Sequence, residues 1–403
     1  MPDDRLVASH RWPAVGGPQL LAMIILSAIG WCTLASADSP PSGVTRQVLF
    51  ESGTDGYHTF RIPSIIQTKE GSLLAFCEGR KNGGGDSGDI DLVMRRSDDQ
   101  GASWSELVVV WDDAGNTVGN PCPVVDRTTG EIHLLLTWNR GDIVERNIQP
   151  GFGDDSRRVF VMKSSDHGRS WTEPREITRD VKREDWSWYA TGPGAGIEIT
   201  HGPHQGRLII PCDHKRREAE IIEYYSHVIY SDDHGSTWHL GGISPQAAVN
   251  ECEVVELAGG RLMLNMRNYD RQTRARQVAF SDDGGETWSG QRHDPALIEP
   301  ICQASIRRGN WPAGEDQDVL LFSNPADREA RRRMTVRASI DDGQSWPGSQ
   351  VLYEGSSAYS CLVSLPSGMA GCLYEVDGYK RILFDRFAVD WVVSAGGGQT
   401  AAP

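Results

Sequence analysis

Metal-ligand spacing is missing from this 403-residue sequence. Its cysteines form no CxxC pair, no group of His, Cys and Glu has the spacing of a zinc site, and its Asp-rich turns lack the ligand pattern of a calcium loop. Neither a metal nor a cofactor is expected. Basic charge is also in short supply, since 40 Lys and Arg against 55 Asp and Glu leave a net charge of −15. That balance argues against nucleic acid and anionic membrane surfaces as partners. No apolar run after the N-terminus is long enough to cross a membrane, so insertion of the mature chain is not expected.

The N-terminus reads differently. Arg5 and Arg11 precede an apolar run, Leu20–Ile29, that ends in Ala35-Ser36-Ala37, a cleavage site of the secretory kind. Residues 1–37 are expected to be a signal peptide, which makes the protein secreted or periplasmic. Residues 38–46 then form an N-terminal extension, 47–391 one catalytic domain without an internal linker, and 392–403 a flexible tail. Cleavage leaves Cys77, Cys122, Cys212, Cys252, Cys302, Cys361 and Cys372. An odd, dispersed set predicts buried thiols, with at most a pair or two bridged.

Repetition is what the sequence does contain. The pattern Ser-x-Asp-x-Gly-x-x-Trp occurs five times, at Ser97–Trp104, Ser164–Trp171, Ser231–Trp238, Ser281–Trp288 and Ser339–Trp346. The tryptophans lie 67, 67, 50 and 58 residues apart, too far for helical hairpins and right for units of four short strands. Each copy has hairpin-turn chemistry: the Asp accepts backbone N–H groups, the Gly permits positive φ, and the Trp fills the space between sheets. The Asp residues of these boxes are therefore read as structural. The domain is predicted to be all-β, a six-bladed β-propeller of about 58 residues per blade, one blade lacking a box.

A second signal is Tyr57–Ile66, YHTFRIPSII, where Arg61 lies inside an apolar strand pattern and Pro63 confines that strand to an edge or a start. FRIP followed by Asp boxes resembles the exo-α-sialidase (neuraminidase) family of bacterial and animal type, over nearly all of the mature chain. The resemblance implies site residues one by one. Asp86, at the tip of NGGGDSG, matches the family's mobile acid, with Asp89 and Asp91 as rivals. In NECEVVEL, Glu251 matches the buried Glu, whereas Glu253 and Glu256 read as ordinary alternation on a strand's wet face. Arg267 matches the second arginine of a carboxylate clamp. Arg331, four residues before Thr335, matches the third, with Arg332 as runner-up. Tyr359 in GSSAYSCLVSL matches the nucleophile, rather than Tyr374 or Tyr379, and Glu375 the carboxylate that holds Arg61. Arg80 resembles a residue near the N-acyl pocket. Ala195 stands where many relatives carry a polar residue, and Trp186 and Trp188 are read as packing.

These parts imply a retaining hydrolase for terminal α-linked sialic acids on glycans, glycoproteins or glycolipids. Three arginines would grip the carboxylate on the anomeric carbon. A carboxylate nucleophile would be repelled by that group, and a phenol deprotonated in step with attack would not. The alternatives are a non-catalytic Asp-box propeller that binds glycans or protein, and a trans-sialidase or anhydro-sialidase.

Overall fold

The computed structural model describes residues 39–218, 221–310 and 318–396, and the leader expected over residues 1–37 lies outside them. Strands dominate, and among the described residues α-helix is confined to the single turns Thr178–Val181 and Val389–Val393. The strands form four hydrogen-bonded sheets of eight, five, four and seven strands.

The four-stranded sheet displays the repeating unit. Val249–Glu256, Leu262–Asn268, Ala275–Ser281 and Ser289–Ile298 follow one another as an antiparallel meander, and the box Ser281–Trp288 is the turn between its third and fourth strands. The other four boxes likewise begin on the last residue of a strand: Ile90–Ser97, Arg158–Ser164, Ile221–Ser231 and Arg332–Ser339. The first and last described strands pair, Thr45–Glu51 with Arg381–Ala388. The domain accordingly begins slightly before residue 47. Val392, within the terminal helical turn Val389–Val393, is buried, so packed structure continues past residue 391.

In all five boxes the Gly N–H donates to the Ser hydroxyl at 2.8 Å. That hydroxyl donates in turn to the Asp carboxylate, at 2.7–2.9 Å. The Ser or Thr just before the Trp gives the same carboxylate both its N–H and its hydroxyl. These donors favour the ionised form and hold the carboxyls of Asp99 and Asp166 at about 2. Glycine is required for a second reason at Gly235, where φ is +73° and a Cβ would lie 2.1 Å from His133 of another strand. Gly101 and Gly168 approach Phe384 and Leu74 in the same way, at 2.4 Å. The boxes thus press each unit onto a neighbouring one, and Trp104 packs edge-on against Phe384 at 5.3 Å between ring centroids.

A second periodic feature lies at the start of the meanders. Strand pairing loses register between Arg61 and Ser64, Gly119 and Cys122, Trp186 and Tyr189, Val249 and Cys252, and Ser357 and Ser360. Such irregularities free one or two side chains from strict alternation and re-aim them. The Thr59–Gln67 strand stands at the end of its sheet, as Pro63 requires.

The seven cysteines among the described residues are all buried free thiols. No pair is bridged.

Candidate active site

The register breaks supply a cleft of about 220 Å³ with Ile62, Asn120, Trp188, Asn250, Glu251 and Tyr359. Arg61, Arg80, Asp86, Arg267 and Arg331 complete one side of it. The sequence-predicted residues, spread over 299 positions, therefore converge, with Glu375 directly behind them.

Arg61 shows why the local fold has its form. Its Nε donates to Glu375 at 2.7 Å, and the N–H of Ile62 reaches the same carboxylate at 2.9 Å. Meeting both requires Ile62 at φ +61°, a costly conformation for a β-branched residue. Glu375 also accepts the N–H of Tyr359 at 3.1 Å, so one fully buried carboxylate fixes the backbone beside both residues. Burial opposes the Arg61 charge, but Glu375 outweighs it and raises the guanidinium's pKa.

Tyr359 donates to Glu251 at 2.5 Å, and Arg267 touches both, at 2.5 Å to Glu251 and 3.0 Å to the phenol oxygen. Arg61 and Arg331 flank the same ring, 5.2 and 5.7 Å from its centroid. Burial, and then the charge of Glu251, push the phenol well above its ordinary pKa, so it rests protonated. Arg331 differs from the other two arginines. It donates to the Tyr379 hydroxyl at 3.0 Å and to the carbonyl of Ile301, and has no carboxylate partner among the described residues. The runner-up Arg332 points away and pairs with Asp327 at 2.5 Å.

Asp86 reaches the cleft from an exposed loop, its side chain 66% accessible, and meets Arg80 at 2.8 Å and Arg61 at 3.9 Å. Desolvation opposes ionisation there, yet the two arginines prevail and lower its pKa. Its rivals are engaged elsewhere: Asp91 is buried beneath the Tyr57 hydroxyl, and Lys81 contacts both Asp89 and Asp91 at 3.0 Å. Asp89, Asp91 and Asp112 are the acidic group spaced for a cation among the described residues. The Lys81 ammonium lies against all three and supplies that charge.

Two expectations are corrected. Glu253 and Glu256 do not face water: Glu253 is fully buried and accepts from Ser305 and from the N–H groups of Ile306 and Ala195, while Glu256 receives Thr200 and His201. Tight sheet-to-sheet packing makes both faces of this strand interior. Trp186 packs as expected, stacked on His214 at 3.5 Å, but Trp188 lines the cleft. Ala195 is buried and outside the cleft.

Sequence reasoning missed Glu78, Asn120, Glu145, Arg157, Asp213, Lys215 and Tyr269, which line the rest of the cleft. Glu78 braces Arg80 at 2.6 Å. Arg157 is buried among Asn120, Asn139 and Thr137, and burial pulls it down to about 10. The signal that exposed Arg61, a charge inside an apolar strand, is equally present at Glu78 in LLAFCEGR and at Asp213 in LIIPCDHK.

A larger cavity of about 660 Å³ is lined by Lys69, Arg127, Arg307 and Arg308 among others. It contains none of the predicted residues, and its central arginines are engaged by carbonyls of Ala195, Gly196 and Glu256.

Residues 71–372 match the BNR repeat-like domain family. The chain is 36% identical to a sialidase of Micromonospora viridifaciens, over 93% of this chain and 59% of that protein. It is 30% identical to an exo-alpha-sialidase of Aspergillus fumigatus, over 84% of this chain and 86% of that protein. The chain thus spans about three-fifths of the first relative's length. Among solved structures, Hadza microbial sialidase Hz136 superposes with a TM-score of 0.79 at 31% identity, over 86% of this chain and 69% of that one. The chain belongs to the sialidase family, whose members from bacteria and fungi it matches along most of its length.

Proposed function

We propose that the protein is an exo-α-sialidase that hydrolyses terminal α-linked sialic acids with retention, through a glycosyl intermediate on Tyr359. The observation that carries this reading is the convergence of Arg61, Arg267 and Arg331 on one phenol already hydrogen-bonded to a carboxylate. Permanently charged, planar donors suit a substrate carboxylate, and Arg331, with no carboxylate partner of its own, is ready to take one.

In this mechanism Glu251 takes the phenolic proton as Tyr359 attacks the anomeric carbon. Asp86 protonates the departing glycosidic oxygen and then activates water on the same face. Arg80 and Arg61 hold its carboxyl below the ordinary range against the desolvation of the loop. A substrate carboxylate on Arg61 offsets that attraction and raises the acid toward its working range.

Six blades account for the topology and for the box count. The eight-stranded and seven-stranded sheets each divide into two meanders, the first where Ile90 meets Thr117 in a parallel bridge and the second within the long Gly348–Leu365 strand. In the blade closed by Thr45–Glu51, the link from third to fourth strand is the gap between chain ends, where no box turn exists. Export follows from the leader, and sialylated glycans, glycoproteins or glycolipids are the substrates.

The test is release of fluorophore from an aryl α-sialoside by the full chain, with the product anomer followed by NMR. Retention is expected. No release would return the protein to a glycan-binding role, and an anhydro or transferred sugar would assign the variant chemistry.

A further inference from the structure

A second phenol, Tyr379, stands beside the arginine clamp, and the mechanism leaves it without a task. Its ring lies over Arg61, with the guanidinium carbon 4.0 Å from the ring centroid, nearer than the 5.2 Å to the ring of Tyr359. Its hydroxyl accepts from Arg331 at 3.0 Å. One partly buried side chain, packed against Ile62, Cys302, Ala358 and Tyr359, therefore touches two clamp arginines that are far apart in the sequence.

The backbone is strained where it carries that ring. Tyr379 lies in the hairpin turn between Met369–Val376 and Arg381–Ala388, where Asp377, Gly378 and Tyr379 have φ of +56°, +64° and +71°. The N–H of Lys380 closes this left-handed turn on the carbonyl of Val376. Glycine adopts that hand freely, but Asp377 and Tyr379 each bring a Cβ close to the following carbonyl. Such a conformation persists only where its surroundings over-determine it. Here they do: the Asp377 carboxylate accepts from Tyr353 and Arg381, while Ser52 gives its hydroxyl to the carbonyl of Tyr379 at 2.9 Å and its N–H to that of Lys380 at 2.8 Å. A turn with less strain would close the same hairpin. What this one adds is a phenol on the clamp.

We propose that Tyr379 is a positioning residue of the carboxylate clamp, setting the fork of Arg331 and covering Arg61 without offering either an anion. This rests on the sialidase reading. Arg61 is balanced by Glu375 and Arg267 by Glu251, and a carboxylate set against Arg331 as well would compete with that of the substrate. A long guanidinium must nevertheless be held, because a free one loses rotamer entropy when it grips an anion. Two neutral acceptors hold it: the Tyr379 hydroxyl takes Nη1, and the Ile301 carbonyl takes Nη2 at 3.3 Å. They fix its direction and leave its charge to the ligand. The ring serves Arg61 in a similar way, since an aromatic face excludes water from a guanidinium while keeping it cationic.

The test separates hydroxyl from ring, and both from the scaffold. Tyr379→Phe keeps the ring on Arg61 and takes the acceptor from Arg331, whereas Tyr379→Leu removes both. On an aryl α-sialoside Tyr379→Phe should raise KM about 5- to 10-fold and leave kcat within about twofold of the parent, since the clamp holds ground state and transition state alike. Tyr379→Leu should raise KM by roughly threefold more, the share of the ring. Calorimetric titration with the unsaturated sialic acid analogue should give the same order. A double-mutant cycle with Arg331→Lys decides whether Tyr379 acts through Arg331. In that background Tyr379→Phe should cost less than about twofold in affinity, because the fork it directed is already gone. A penalty as large as in the parent, or parent-like binding of the analogue by Tyr379→Phe, would overturn the inference alone. Joint losses in kcat and KM that follow a fall in melting temperature would assign Tyr379 to the hairpin and also overturn it. A parent that neither cleaves the sialoside nor binds the analogue would instead overturn the sialidase reading, and this inference with it.

Discussion

Tyr359 donates to Glu251 across 2.5 Å although the two stand 108 positions apart in the chain. The phenol is buried and its pKa is raised, so it cannot serve as a resting phenolate; its reactivity depends on a base within hydrogen-bond reach. Glu251→Gln keeps the shape and removes the base. It should lower kcat by about 10²–10⁴, the contribution of a positioned proton acceptor. Tyr359→Phe should form no covalent adduct with a fluorinated sialosyl reagent, whereas the parent should carry the sugar on the peptide containing Tyr359. Mass spectrometry of the trapped protein decides, and an adduct on Glu251 or Asp86 would refute the mechanism.

Asp86 should be separable from that pair by leaving group. An aryl sialoside with a good leaving group needs little protonation, so Asp86→Asn should slow it far less in the glycosylation step than it slows a natural sugar leaving group. Pre-steady-state rates on the two substrates are the measurement. Equal losses on both would remove Asp86 from the acid role.

Arg331 has no carboxylate partner among the described residues, and its removal should be felt in binding more than in folding. Arg331→Lys keeps the charge and loses the fork, weakening an unsaturated sialic acid analogue by about 1–3 kcal/mol. Calorimetric titration reads the affinity. Chemical denaturation should show little change.

Glu375 should behave in the opposite way. It is fully buried and receives Arg61 together with the N–H groups of Ile62 and Tyr359. Glu375→Gln leaves a buried guanidinium uncompensated, at about 3–5 kcal/mol of stability. Urea unfolding at neutral pH tests this, and a loss below 1 kcal/mol would show that Arg61 finds another partner.

The Asp boxes predict the acid limb of stability. Asp99, Asp166 and Asp233 have folded-state pKa values of about 2, below the ordinary carboxylate range. A depressed pKa contributes stability above the unfolded value near 4, and that contribution fades as pH falls toward 2. Asp99→Asn should flatten the pH dependence in this window and leave neutral-pH sensitivity to salt nearly unchanged. Unfolding curves at several pH values between 4 and 2 provide the check.

The boxes were legible because a turn writes its chemistry into consecutive residues: Ser97, Asp99, Gly101 and Trp104 each answer a local demand. Arg61 was legible because a guanidinium in an apolar strand is costly without an anion. Tyr359, Arg267 and Arg331 had no such mark and emerged only through resemblance to sialidases. Glu253 and Glu256 were misread because alternation assumes a wet face, and this strand has none.

The five register breaks give the architecture a division of labour between ladder and lumen. A residue held inside a break contributes little to strand pairing, so its identity is set by what enters the cleft rather than by what holds the sheet. Tyr359, Glu251, Asn120 and Trp188 occupy such positions and line the cleft. Where such a position carries no part of the mechanism, as at Trp188, a single replacement should change what the cleft admits while leaving the strands and the boxes as they were.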